Sequence, residues 1–194
     1  MAKRSPRPGH KRIPPLNVDD DTFDYCLARV LVMGAGNVLL GDDGFGPAVI
    51  EELQGRKGLP KDLLLMDVGS SARGVMFNIL TSEKTPETLI LVDIVTRNKA
   101  KGKSPGEVMV IDIDDLPVEK SDDFQFHFVP TSSMLKDLRD QRGVEVVILA
   151  CVAKDIPDQK VHMGLSAPVR AAVKVAAERV ITIAKARLSA KKKK

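Results

Sequence analysis

The chain has 194 residues, 43% of them apolar, with 30 Lys and Arg against 26 Asp and Glu and a net charge of +4. That length suits one domain with a full core, and so large an apolar share excludes a disordered chain. No apolar run approaches the roughly 20 residues that span a bilayer, and no charged stretch followed by an apolar one marks a secretory leader.

Much of the basic excess sits at the ends. Residues 1–24 are expected to form a mobile, basic, Pro-rich tail and 189–194 a Lys-rich one, flanking a single α/β domain over 25–188. With one Tyr, no Trp and no aromatics interleaved with a basic stripe, the charge reads as solvated tails. No nucleic-acid or membrane partner is expected, and the chain is expected to act as a monomer. The two cysteines, Cys26 and Cys151, lie in apolar runs without Cys-x-x-Cys spacing. They read as buried thiols in a reducing cytoplasm.

Short β-branched runs alternate with amphipathic segments. The first strand is predicted at 28–33, followed by the loop Gly34-Ala-Gly-Asn-Val-Leu-Leu-Gly-Asp-Asp-Gly-Phe-Gly46. Pro47 suits the first turn of a helix reaching about Leu53, because its missing N–H is one that a helix start leaves unpaired. Strands at 63–67 and 88–93 follow, with a helix near 73–80 between them. Residues 96–106 read as a loop, and 107–112 as a fourth strand. An apolar connector at 124–129 precedes a helix from Ser132 to Arg139 with Met134, Leu135 and Leu138 on one face. Residues 144–152 are apolar almost throughout, as a central strand covered on both sides should be. Ser166-Ala-Pro opens the last helix, whose core face carries Val169, Val173, Ala176, Val180 and Ile183. This alternation predicts a three-layer, doubly wound sheet of about five mainly parallel strands with helices on both faces.

Several chemistries are excluded by motif. Gly34-Ala-Gly36 begins like a dinucleotide fingerprint, but Leu39 stands at the third glycine's position and no helix opens after Gly36. There is no Walker A sequence, no Gly-x-Ser-x-Gly elbow around Ser70 and no His-Glu-x-x-His. What remains is a set of aspartates at predicted strand ends: Asp42-Asp43 after the first, Asp67 closing the second and Asp93 closing the third. In open α/β sheets ligands bind at that edge. Carboxylates converging there suit a cation or acid–base work, and a histidine would complete a mixed nitrogen–oxygen set. His127 follows the connector and can reach the sheet edge, whereas His10 lies in the tail and His162 in a loop. For each aspartate an Asx-turn or helix cap is the competing reading, and for His127 a hydrogen bond to backbone.

The first loop adds a resemblance. Gly36-Asn-Val-Leu-Leu-Gly-Asp-Asp-Gly-Phe-Gly46 resembles the signature of nickel–iron hydrogenase maturation endopeptidases. Asp67-Val-Gly-Ser, Val92-Asp93, Ser104-Pro-Gly-Glu-Val, His127-Phe-Val-Pro130 and Gly164-Leu-Ser166 continue it in order across 28–188. The Asp-Asp-Gly-Phe-Gly and Phe-His-Phe-Val-Pro forms look most like the archaeal branch associated with deazaflavin-reducing (coenzyme F-420) hydrogenase. The resemblance implies an aspartic-type endopeptidase that trims the C-terminal extension of the hydrogenase large-subunit precursor after nickel insertion. It implies Asp43, Asp93 and His127 as the metal-contacting triad, with Asp67 in support or substrate positioning. Nickel would arrive with the substrate, and zinc or cadmium could occupy the isolated site. Asp42 is expected to organise the loop by accepting N–H groups of its Gly-rich turn. Segment 67–74 departs from the family in Val68 and Ser70, and the second acid is Asp where some members carry Glu. A non-catalytic assembly factor sensing the loaded subunit, and a nucleotide-binding regulatory domain, are the competing classes.

Overall fold

The computed structural model describes residues 22–98, 100, 102–116, 132–156 and 161–190. Its centre is a five-stranded sheet in the order β2-β1-β3-β5-β4. The strands are β1 (Val30–Ala35), β2 (Leu63–Gly69), β3 (Thr88–Val95), β4 (Val108–Ile111) and β5 (Glu145–Val152). The first three and β5 run parallel, and β4 lies antiparallel on the edge beside β5. The predicted sheet is therefore observed. The first strand is shifted two residues later than the hydrophobic run suggested, because Ala28 and Arg29 belong to the turn after a short helix, α1 (Asp24–Leu27).

Period-two alternation assigns each strand residue to a face. On one face Val30, Val32, Ile90, Val92, Leu149 and Cys151 pack under α2 (Phe45–Gln54) and α5 (Ala167–Ala190). On the other Leu31, Met33, Leu89, Leu91 and Ile148 pack under α3 (Ala72–Thr81) and α4 (Ser132–Asp140). Since β1 and β3 are covered on both sides, all six residues of β1 are buried and the strands read as unbroken apolar runs. The last helix turns a slightly different face inward than predicted. Val169, Ala176 and Val180 are buried as expected, but Ala172, Ala177 and Ala184 join them while Val173 and Ile183 sit at the margin. Small side chains there let α5 lie close to α2 and the sheet.

The chain leaves β1 toward β2 on one side, then returns to β3 on the other. The strand order thus diverges between β1 and β3, and the crevice at their C-terminal ends is a topological switch point. Two glycines allow the following helix to sit against it. A Cβ on Gly46 would stand 2.2 Å from the Ala35 carbonyl oxygen and 2.6 Å from that of Val92. One on Gly34 would stand 2.5 Å from the Gly46 oxygen. The close helix–strand approach that a dinucleotide fold assigns to its third glycine is made here by Gly46, seven residues after Leu39. Helix α2 accordingly begins at Phe45, two residues before Pro47.

Candidate active site at the switch point

A short 3-10 turn, Gly41–Gly44, carries Asp42 and Asp43 between β1 and α2. Gly36, at φ +128°, brings the chain so close that a Cβ there would stand 1.9 Å from the Asp43 carbonyl oxygen. Only glycine fits such a conformation and approach. The Asp43 side chain is fully buried, and its Oδ2 accepts the Asn37 N–H at 2.6 Å. Its Oδ1 is buried, and among the described residues it has no hydrogen-bond partner. Asp93, from β3, is 4% exposed, and its Oδ1 accepts the Ile94 N–H at 2.7 Å.

Burial pushes the Asp43 carboxyl up to about 6, against the lowering effect of the Asn37 N–H. Burial pushes Asp93 up to about 8, against the Ile94 N–H, and the nearby Asp43 charge adds to the rise. Two neighbouring buried acids cannot both ionise cheaply, so near neutral pH the pair holds a proton between them. Among the described residues no Lys or Arg pairs with either side chain. Such a pair can hold a proton and release it to a base, or lose it to a cation.

The donor set suits a cation. Two carboxylates supply hard oxygen ligands, and a buried carboxylate oxygen without a partner is costly unless something positive or protic meets it. Among the described residues no group of three metal-ligating side chains forms, so the pair is the described part of any such site. His127, the predicted third ligand, lies outside the described residues.

Asp67 stands apart from the pair. It is exposed near the end of β2, where its Oδ1 accepts the Gly69 N–H at 3.0 Å in an Asx-turn. It also lines an open cleft of about 430 Å³ with Val38, Gly41, Gly44, Met163 and Leu165. The strand continues two residues past Asp67 to Gly69 rather than ending on it. The cleft's apolar wall comes from Met163 and from Leu165 of the Gly164-Leu-Ser166 segment, and only a tertiary contact puts that segment beside the acid turn.

Asp42 organises the region, but not as expected. Its carboxylate reaches across the fold instead of folding back on the Gly-rich turn. It accepts the N–H groups of Lys154 (2.8 Å), Asp155 (3.0 Å) and Ser166 (2.7 Å) and the Ser166 hydroxyl (2.9 Å). Ser166 still leads into α5, its carbonyl accepting the Arg170 N–H, but its hydroxyl serves Asp42. The exposed His162 lies on the same segment and forms a bridge with Leu40. Both cysteines are buried and free, and burial pushes the Cys151 thiol up to about 12. A thiolate nucleophile at neutral pH is thereby excluded at Cys151.

Comparison with known proteins shows the family of the chain. The hydrogenase maturation protease family model matches residues 47–183. A Methanocaldococcus jannaschii protein is 34% identical over 152 residues, covering 78% of this chain and 94% of its own. The coenzyme F420 hydrogenase subunit delta of Methanothermobacter thermautotrophicus is 31% identical over 157 residues, 79% of this chain and 93% of its own. Among solved structures, the hydrogenase maturating endopeptidase HybD of Escherichia coli superposes with a TM-score of 0.63. It is 23% identical and covers 81% of this chain and 92% of its own, a likeness of fold. The chain belongs to the hydrogenase maturation protease family. Among the described residues no helix is long and apolar enough to cross a membrane.

Proposed function

We propose that this protein is an endopeptidase that removes the C-terminal extension of a nickel–iron hydrogenase large-subunit precursor once nickel is in place. The observation that carries the reading is the buried Asp43 Oδ1, met by no partner among the described residues, beside the buried Asp93 at the switch point. An acid left so in a family of maturation proteases is matched to a positive centre that arrives with the substrate. Asp43 and Asp93 offer oxygen ligands to that nickel, and His127 is the third donor. In the isolated protein zinc or cadmium would take the same donors. Nickel bound by these residues would mark the loaded precursor for recognition and could supply Lewis acidity for hydrolysis.

The residues of the chain itself hold and move one proton. Near neutral pH the pair shares it, because burial raises both carboxyls above the ordinary carboxylate range. Approach of a cation displaces it, so engagement releases a proton and tightens as pH rises. An ionised Asp43 is then placed to accept a proton from water. Asp67, on the wall of the adjoining cleft, is placed to position the polypeptide. The two buried thiols fit a reducing compartment such as the cytoplasm.

Mass spectrometry of nickel-loaded precursor, with and without the protein, tests the reading. Loss of a C-terminal peptide is expected, and only with the metal loaded. A bound but uncut precursor would make the protein a non-catalytic assembly factor. Equal cutting of metal-free precursor would assign recognition to the peptide.

A further inference from the structure

The segment from Val161 to Ser166 is a strap laid over the acid turn. Its backbone runs beside residues 39–41, with the His162 N–H donating to the Leu39 oxygen at 2.9 Å. The Gly41 N–H donates to the His162 oxygen at 2.7 Å. Little apolar burial holds the strap down. Val161 is 72% exposed and Met163 71%, while Leu165 packs at the margin of the core. Polar contacts must therefore do the holding: the two backbone bonds at His162 and, at the end of the strap, the bonds from Ser166 to the Asp42 carboxylate. Asp42 is 1% exposed and takes four hydrogen bonds, two of them from Ser166, 124 residues away in sequence. Four donors offset the cost of burying that charge. Asp42 is bonded to Asp43 through the backbone, and Met163 and Leu165 of the strap line the cleft.

We propose that Asp42 and Ser166 are positioning residues. Together they tether the strap to the acid turn and so set the wall on which the polypeptide lies, while the Asp42 carboxylate also holds the turn that aims Asp43. The inference rests on the protease reading for its catalytic consequence but not for the tether itself. Removing the Ser166 hydroxyl loosens the strap and leaves Asp43 and Asp93 in place. Replacing the Asp42 carboxylate with an amide turns an acceptor into a partial donor facing three N–H groups, which loosens the turn as well.

Two readouts on the full chain separate tether from catalysis. In native-state hydrogen exchange, Ser166→Ala should speed the Gly41 and His162 amides about tenfold, the worth of one ordinary hydrogen bond. The β1 and β3 amides should stay unchanged, and Ser166→Thr should restore protection. In steady-state processing of nickel-loaded precursor, Ser166→Ala should raise KM about tenfold with kcat held within about twofold. Asp42→Asn should lower kcat as well. A lesion that merely unfolds part of the sample lowers apparent kcat at constant KM, so the split distinguishes positioning from stability. Unchanged exchange at Gly41 and His162 in both variants overturns the tether whatever the activity. Faster exchange with unaltered KM and kcat overturns its role in positioning. A wild-type protein that binds precursor without cutting it overturns the protease reading, and the exchange data still decide the tether.

Discussion

The two ends of the sheet use the same residue type in opposite ways. At the N-terminal ends of the strands, acids meet bases. Arg29 pairs with Glu87 at 3.2 Å and with Asp62 at 3.8 Å, and Arg187 pairs with Glu145 at 2.7 Å. At the C-terminal ends Asp43 and Asp93 are buried and no cation among the described residues meets them. The first pole is electrostatically closed and partly wet, so it contributes modestly to stability. The second is dry and uncompensated, which costs stability and keeps affinity in reserve for a positive centre. An acid's position in this fold thus says more about its role than its identity does.

The largest expected effect breaks the acid pole. Asp43→Asn or Asp93→Asn should reduce precursor processing by about a thousandfold, within the range for losing an acid–base or metal-engaging group. Neither should lower the thermal midpoint at pH 8, because a neutral amide replaces a buried acid that is costly to ionise. A variant that processes at the wild-type rate would remove that residue from the site. Both acids are buried, so these substitutions act in the interior of the fold.

Next in size is Gly46→Ala. Its Cβ would meet backbone on two strands, at 2.2 Å and 2.6 Å, and backbone cannot rotate aside. A loss of about 3 kcal/mol is expected, read as a fall of about 10 °C in the unfolding midpoint. A midpoint within about 2 °C of wild type would mean that α2 sits farther from the sheet.

A pH series sharpens the contrast without a large lesion. The folded pKa of Asp93 is about 8 and that of Asp43 about 6, both above the ordinary 3.8. The folded state therefore holds protons that the unfolded state has lost. Stability from this source is complete below about pH 4 and is lost as pH rises through about 6 and then 8. Denaturant midpoints should decline over that window in wild type and decline less in Asp93→Asn. Calorimetric affinity for zinc should rise over the same window, since the ion displaces the proton. Parallel slopes for the two proteins would show that Asp93 titrates normally.

The smallest effects belong to the closed pole and to the buried thiol. Arg29→Ala should cost no more than about 1 kcal/mol in denaturant titration and leave processing intact. Cys151→Ser should retain processing, because a thiol pushed up to about 12 is not a nucleophile at neutral pH. A folded, inactive Cys151→Ser protein would overturn that assignment.

Much of the fold was legible in local pattern. Buried parallel strands need unbroken β-branched runs, and helices need a three-to-four residue spacing. Val30–Met33, Leu89–Val92 and Val146–Val152 obey the first rule, and Leu135 with Leu138 the second. The place of Asp93 near the C-terminal end of β3, which runs two residues past it to Val95, and the loop position of Asp43 followed from the same pattern, as did the edge on which both lie. Tertiary structure decided what those acids experience. Burial, the lack of a partner for Asp43 Oδ1 among the described residues and the charge of one acid on the other depend on how the turn after β1 packs against β3. No local pattern encodes them. Nor could sequence show that Asp42 bonds to Lys154, Asp155 and Ser166, more than a hundred residues away, or that Gly46 does the close packing Leu39 cannot. Short-range sterics and hydrophobic period determine elements. Desolvation and long-range hydrogen bonds exist only once those elements are packed.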